Sequence, residues 1–205
     1  DLSMGRPVDP APGVAIAALT AAGDAHGYPQ VWGTPALRAG ILDPMKQVWG
    51  APGSLEETSV LPVFGTKELV ASLPGQLGLG RDSTIVIPSC AYPTYRVGAQ
   101  LAGAKIVAVN EPDEVDVAPD LIWINSPANP SGRVLDLDEM KAWVDLARST
   151  GAVLASDECY GEFVWEGESV SVLDERVNSG DVTGLLACLS MSKRSNMAGY
   201  RAGFA

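Results

Sequence analysis

The chain has 205 residues, 46% of them hydrophobic and 19% charged, with 25 acidic against 14 basic side chains and a formal net charge of −11. That balance supports one substantial core and opposes nucleic acid or an anionic membrane as the main partner, and no apolar run approaches the about 18 residues of a membrane span. Cys90, Cys159 and Cys188 are widely spaced with no Cys-x-x-Cys pair, predicting buried thiols in a reducing, cytoplasmic setting, while His26 as the sole histidine leaves no His-rich metal site and argues against a Ser-His-Asp triad.

In chain order, Val14 to Ala22 reads as a helix stopped at Gly23, and a second helix enters at Pro35 with Leu37, Ile41, Met45 and Val48-Trp49 at roughly helical spacing. Gly50 to Ser54 is a loop. Phe64-Gly65-Thr66 leads into a helix from Lys67 to about Leu77. From there strands and helices alternate: strand Thr84 to Ile87, helix Tyr95 to Leu101, strand Lys105 to Val109, strand Leu121 to Ile124. Asn110 to Asp120 reads as a solvated connection. Asp136-Leu137-Asp138-Glu139 opens a helix that runs to about Arg148, with Met140, Trp143, Val144 and Ala147 on one face. Strands follow at Ala152 to Ala155 and Leu185 to Leu189, and Gly203-Phe204 enters another. Short apolar strands alternating with helices predict an α/β fold, a mostly parallel sheet between helices in three layers.

Polar sets follow the carboxyl ends of these strands. Ser89-Cys90-Ala91-Tyr92-Pro93-Thr94-Tyr95 follows the first of them, Asn125 to Gly132 the strand at Leu121, and Ser156-Asp157-Glu158-Cys159-Tyr160 the strand at Ala152. The last set, Ser190 to Arg201, places Lys193 between hydroxyls with Arg201 eight residues later. Ligands of open α/β sheets sit beyond the carboxyl ends of the strands. A lysine there can be a covalent anchor for a carbonyl compound.

Asn125 to Gly132, Asp157-Glu158-Cys159-Tyr160 and Ser190 to Gly203, in that order and separation, resemble the large domain of fold-type I pyridoxal-phosphate aminotransferases of the class I/II group, and most of all the actinobacterial succinyldiaminopimelate aminotransferases. The likeness covers nearly the whole chain. It implies that Lys193 is the Schiff-base lysine and proton carrier, that Asp157 pairs with the pyridine nitrogen, and that Asn129 and Tyr160 hydrogen-bond the phenolic oxygen. Tyr92 matches the aromatic that stacks on the ring. Gly65-Thr66-Lys67 resembles the phosphate turn, with Ser190, Ser192 and Arg201 completing the anion site, and Lys67 acting through its amide. Gly5 resembles the loop glycine beside the substrate carboxylate. Asn125 either fixes a turn or joins the site; Glu158 reads as a structural carboxylate and Tyr95 as packing, and Arg6 either alters the substrate contact or adds a surface charge.

The resemblance further implies residues 1–50 as an N-terminal segment packing near the active site and 51–205 as the cofactor-binding large domain. Both ends read as cut, a C-terminal small domain with its substrate arginine lying beyond Ala205. The expected activity is transfer of an amino group from N-succinyl-LL-2,6-diaminopimelate to 2-oxoglutarate by a cytoplasmic homodimer, in lysine and diaminopimelate biosynthesis. Another amino-acid aminotransferase, a C–S lyase of the same fold and a cofactor-binding regulatory module are the alternatives.

Overall fold

The computed structural model describes Gly5 and residues 7–205; Arg6 and the opening Asp1 to Met4 lie outside the described residues. The strands are β1 (Pro62–Val63), β2 (Thr84–Pro88), β3 (Lys105–Val109), β4 (Leu121–Asn125), β5 (Val153–Asp157), β6 (Leu185–Ser190) and β7 (Gly203–Phe204). They form one sheet in the order β1-β7-β6-β5-β4-β2-β3. The five strands from β6 to β3 are parallel, and β7 and β1 add antiparallel at one edge. After β2 the chain passes outward to β3, and after β4 it passes the other way to β5. The strand order therefore reverses between β2 and β4, which opens a crevice at their carboxyl ends.

The helices are α1 (Gly13–Ala21), α2 (Pro35–Val48), α3 (Thr66–Gln76), α4 (Thr94–Ala102), α5 (Leu137–Thr150), α6 (Glu175–Asn178) and α7 (Met191–Arg194). Side chains of successive strand residues point to opposite faces, so a strand buried on both must be apolar throughout. All five residues of β4 are buried: Leu121 and Trp123 pack on the α3 and α4 side, Ile122 and Ile124 on the side of α2 and α5. On α5 the predicted face of Met140, Trp143, Val144 and Ala147 is the buried one, each larger apolar side chain contributing about 1.5–3 kcal/mol. Asp136 caps this helix reciprocally with Glu139, and Gly151 ends it in the left-handed conformation at φ 75°. On the other layer α3 and α4 touch through Gly98, where a Cβ would stand 2.7 Å from the carbonyl oxygen of Val70.

Two local expectations are corrected. The first helix ends at Ala21 with Ala22 at its C-cap, so Gly23 is not the stop, and none of its residues is buried. The connection from Asn110 to Asp120 is more than a solvated linker. Glu111 takes the Arg133 guanidinium at 2.6 Å, a guanidinium that also reaches Glu139 at 2.6 Å, tying the connection to the start of α5. The segment bearing Lys193 forms a short helical turn, α7, in which the Ser190 hydroxyl accepts the Ser192 N–H and caps it. Among the described residues no helix is long and apolar enough to cross a membrane.

Candidate functional site

The polar sets that follow β2, β4, β5 and β6 meet in one cavity of about 480 Å³ at the carboxyl edge of the sheet. Gly5, Thr66, Lys67, Tyr92, Asn129, Asp157, Tyr160, Ser190, Ser192, Lys193 and Arg201 all line it, so every site residue expected from the sequence except Gly65 does so. Gly65 stands immediately beside it as the N-cap of α3.

One end of the cavity is built for an anion. Thr66 and Lys67 open α3, where the first backbone N–H groups have no partner within the helix and the helix dipole favours negative charge. Gly65 sits at φ 92°, and a Cβ there would run into the Arg201 guanidinium. Arg201, itself left-handed at φ 54°, is folded back so that its guanidinium meets the Glu68 carboxylate at 2.9 Å and the Ala198 carbonyl at 3.0 Å. Ser190 and Ser192 add hydroxyls from the β6–α7 junction.

The cavity wall also carries a buried carboxylate. Asp157 is the last residue of β5, and the period of that strand turns it toward the α3 and α4 layer. Its Oδ2 accepts the Tyr95 hydroxyl at 2.7 Å and its Oδ1 the Cys159 N–H at 3.2 Å. Burial, and after it the charge of Asp157, pushes the Tyr95 phenol far above its ordinary range, so it is a donor throughout the working pH range. The same two causes raise the Cys159 thiol, whose sulfur lies 3.3 Å from Thr66 Oγ1. Tyr160 is raised chiefly by burial, then by Cys159 and Asp157.

Lys193 lines the same cavity. Its Nζ donates to the Gly5 carbonyl at 2.8 Å and stands 6.0 Å from the centre of the Tyr160 ring. The amine thus sits beside the residue that the sequence places next to a substrate carboxylate. Asn125, open between two roles in the sequence, both lines the cavity and holds the turn. Its amide nitrogen donates to the carbonyls of Pro127 (3.1 Å) and Asp157 (2.8 Å), and its Oδ1 accepts the Asn129 N–H at 2.7 Å. It thereby clamps the end of β5 to the loop bearing Asn129. Sequence reasoning missed Tyr95 as a contributor; its place three residues after Tyr92 was the available signal.

A parallel sheet whose strand ends bring an amine, a buried carboxylate and an anion cup into one crevice defines a class of protein, and comparison with known proteins names it. Residues 1–205 match the family model described as aminotransferase class I and II, and the chain belongs to that family, which depends on pyridoxal phosphate. The chain is 48% identical over 205 residues to a Mycobacterium tuberculosis protein named "probable aminotransferase", covering all of this chain and 49% of that one. It is 48% identical over 204 residues to the 4-dedimethylamino-4-oxo-anhydrotetracycline transaminase OxyQ of Streptomyces rimosus, covering 99% of this chain and 56% of the relative. Among solved structures, N-succinyldiaminopimelate aminotransferase from Mycobacterium tuberculosis superposes with a TM-score of 0.87 over all of this chain and 56% of that one; at 24% identity this is a likeness of fold. The chain spans about half the length of the curated relatives it matches. The residues present fit the family's cofactor: the cup at Gly65, which a Cβ would fill, suits a phosphate, and the buried Asp157 carboxylate suits a ring nitrogen that carries a proton.

Proposed function

We propose that this chain is the pyridoxal-phosphate-binding region of an aminotransferase, with residues 51–205 as the large domain and 1–50 as a segment serving the active site. The observation that carries the reading is the convergence of Lys193, Asp157 and the Gly65–Arg201 cup in one cavity. Bound there, the cofactor supplies an electron-withdrawing ring that weakens the bonds at a substrate α-carbon.

The chain's own residues do the rest. Lys193 Nζ is the covalent anchor and, once free, the base that moves the proton at the substrate α-carbon. Asp157 holds the proton of the ring nitrogen, while Asn129 and Tyr160 donate to the ring oxygen without bringing a full charge. Tyr92 fixes the ring plane by stacking. The N–H groups opening α3, the hydroxyls of Ser190 and Ser192 and the Arg201 fork hold the phosphate, Lys67 through its amide. Gly5 lies where a substrate carboxylate would approach Lys193.

For the donor, the reading from the sequence is N-succinyl-LL-2,6-diaminopimelate, with 2-oxoglutarate as acceptor, in a cytoplasmic homodimer. The 48% identity to OxyQ favours a second reading, amino transfer to a polycyclic ketone. The test reconstitutes the full chain with pyridoxal phosphate, reduces it with borohydride and maps the pyridoxyl label. The label is expected on Lys193 and is expected to be absent from Lys193→Ala; a label that persists in the variant overturns the anchor. Glutamate release from N-succinyl-LL-2,6-diaminopimelate and 2-oxoglutarate, set against turnover of the anhydrotetracycline ketone, decides between the substrates.

A further inference from the structure

Tyr95 carries a polar atom where its surroundings call only for a ring. It is fully buried, its ring centre 5.2 Å from that of Trp123 and 6.1 Å from that of Tyr92, the last pair edge to face at 85°. Phenylalanine would satisfy those contacts as well. The hydroxyl instead reaches Asp157 Oδ2 at 2.7 Å, the shortest hydrogen bond to that carboxylate, with the Cys159 N–H at 3.2 Å on the other oxygen. The terminal torsion of an aspartate is broad and nearly two-fold, so nothing within Asp157 itself fixes the plane of its carboxylate. One donor on each oxygen does fix it, and leaves the remaining acceptor positions free to face the cavity.

We infer that Tyr95 is a positioning residue for the cofactor. Through its hydroxyl it sets the plane of the Asp157 carboxylate, and through its ring edge it backs Tyr92, so one side chain aligns both the partner of the ring nitrogen and the wall on which the ring stacks. The inference rests on the reading of Asp157 given above. The sheet layout explains how one residue serves both. Tyr92 and Tyr95 share a face across the start of α4 after β2, and β4 separates β2 from the β5 end that presents Asp157. Tyr95 spans that gap along the face of Trp123.

The experiment measures dissociation constants of the full apoprotein for pyridoxal phosphate and for its 1-deaza analogue, in which carbon replaces the ring nitrogen. The parent, Tyr95→Phe, Asp157→Ala and the double variant are compared, with circular dichroism reporting the fold. Loss of one charge-assisted hydrogen bond predicts that Tyr95→Phe weakens pyridoxal phosphate about tenfold. The same substitution should change affinity for the deaza analogue by less than about twofold, and should have as little effect in the Asp157→Ala background. An equal loss with both compounds, or in both backgrounds, overturns the inference, as does a Tyr95→Phe protein that does not fold, since the hydroxyl would then serve the fold and not the site. A parent that binds neither compound overturns the reading of the cavity itself and this inference with it.

Discussion

Replacing Glu158 with glutamine should abolish the pH dependence of one part of this protein's stability. Glu158 follows Asp157 directly and, by the alternation of β5, points to the opposite face of the sheet, where it is 2% exposed. Its Oε1 accepts the Val172 N–H at 2.8 Å, and its Oε2 has no hydrogen-bond partner although the Ser156 and Ser171 hydroxyls are close. Burial is the main cause that pushes the carboxyl from 4.5 up to about 7, with the Val172 N–H opposing it. The unfolded chain loses this proton near 4.5 and the folded chain near 7. Between those values the folded state holds a proton that the unfolded state has released, so the group's contribution is fully present below pH 4.5 and declines as pH rises through 7. At about 1.4 kcal/mol per pH unit, the decline totals about 3 kcal/mol by pH 8, a ceiling because neighbouring dipoles relax. Glutamine preserves the acceptor for Val172 and cannot ionise. Urea unfolding of both proteins at pH 5, 6, 7 and 8, subtracting one from the other to cancel every other titrating group, should show the variant gaining about 1.4 kcal/mol per unit from pH 5 to 7 and levelling off above. The stability of the variant relative to the parent is therefore expected to be greater at pH 8 than at pH 5. A difference that stays flat across this range would refute the argument.

Gly65→Ala combines a left-handed backbone with a collision against the Arg201 guanidinium; it should cost about 1–2 kcal/mol in stability and at least about tenfold in pyridoxal-phosphate affinity, read by calorimetry and cofactor titration, and unchanged values would show that the cup is looser than described. Asn125→Ala removes three hydrogen bonds that join β5 to the Asn129 loop and should lower stability by about 2 kcal/mol or more; a thermal unfolding midpoint equal to the parent's would reject that clamp. Asp157→Asn keeps the shape and loses the charge, so the full chain should still bind cofactor but lose transamination by about 100-fold or more in a half-reaction assay, and near-normal turnover would remove Asp157 from its proposed role.

Much of this site is legible before any coordinates, because the chemistry demands particular residue types at strand ends. An aspartate after β5, a lysine after β6 and a glycine before α3 are local features, and their order along the chain carries the resemblance. Less legible is anything that depends on which face a residue takes. Tyr95 reads as packing because its partner is 62 residues away, and Glu158 reads as inert because its burial is set by the segment around Val172. The reach of Asn125 to the end of β5 and the role of Arg133 were hidden likewise, each being fixed by groups that only the folded loops bring near.

The sequence by itself determined the α/β class and the alternation of strands with helices from Thr84 onward, and the order of its polar motifs carries the family resemblance. The class and the alternation follow from periodicity and caps, local properties of the chain, whereas the roles of the site residues rest on the resemblance. The tertiary structure decided how those residues are supported: Tyr95 against the Asp157 carboxylate, Asn125 clamping two strand ends, Glu68 holding Arg201 at the cup, and the Lys193 amine at the Gly5 carbonyl. The physical reason is that strand order reverses between β2 and β4 and brings distant segments to one crevice, where distance and burial set what each polar atom meets.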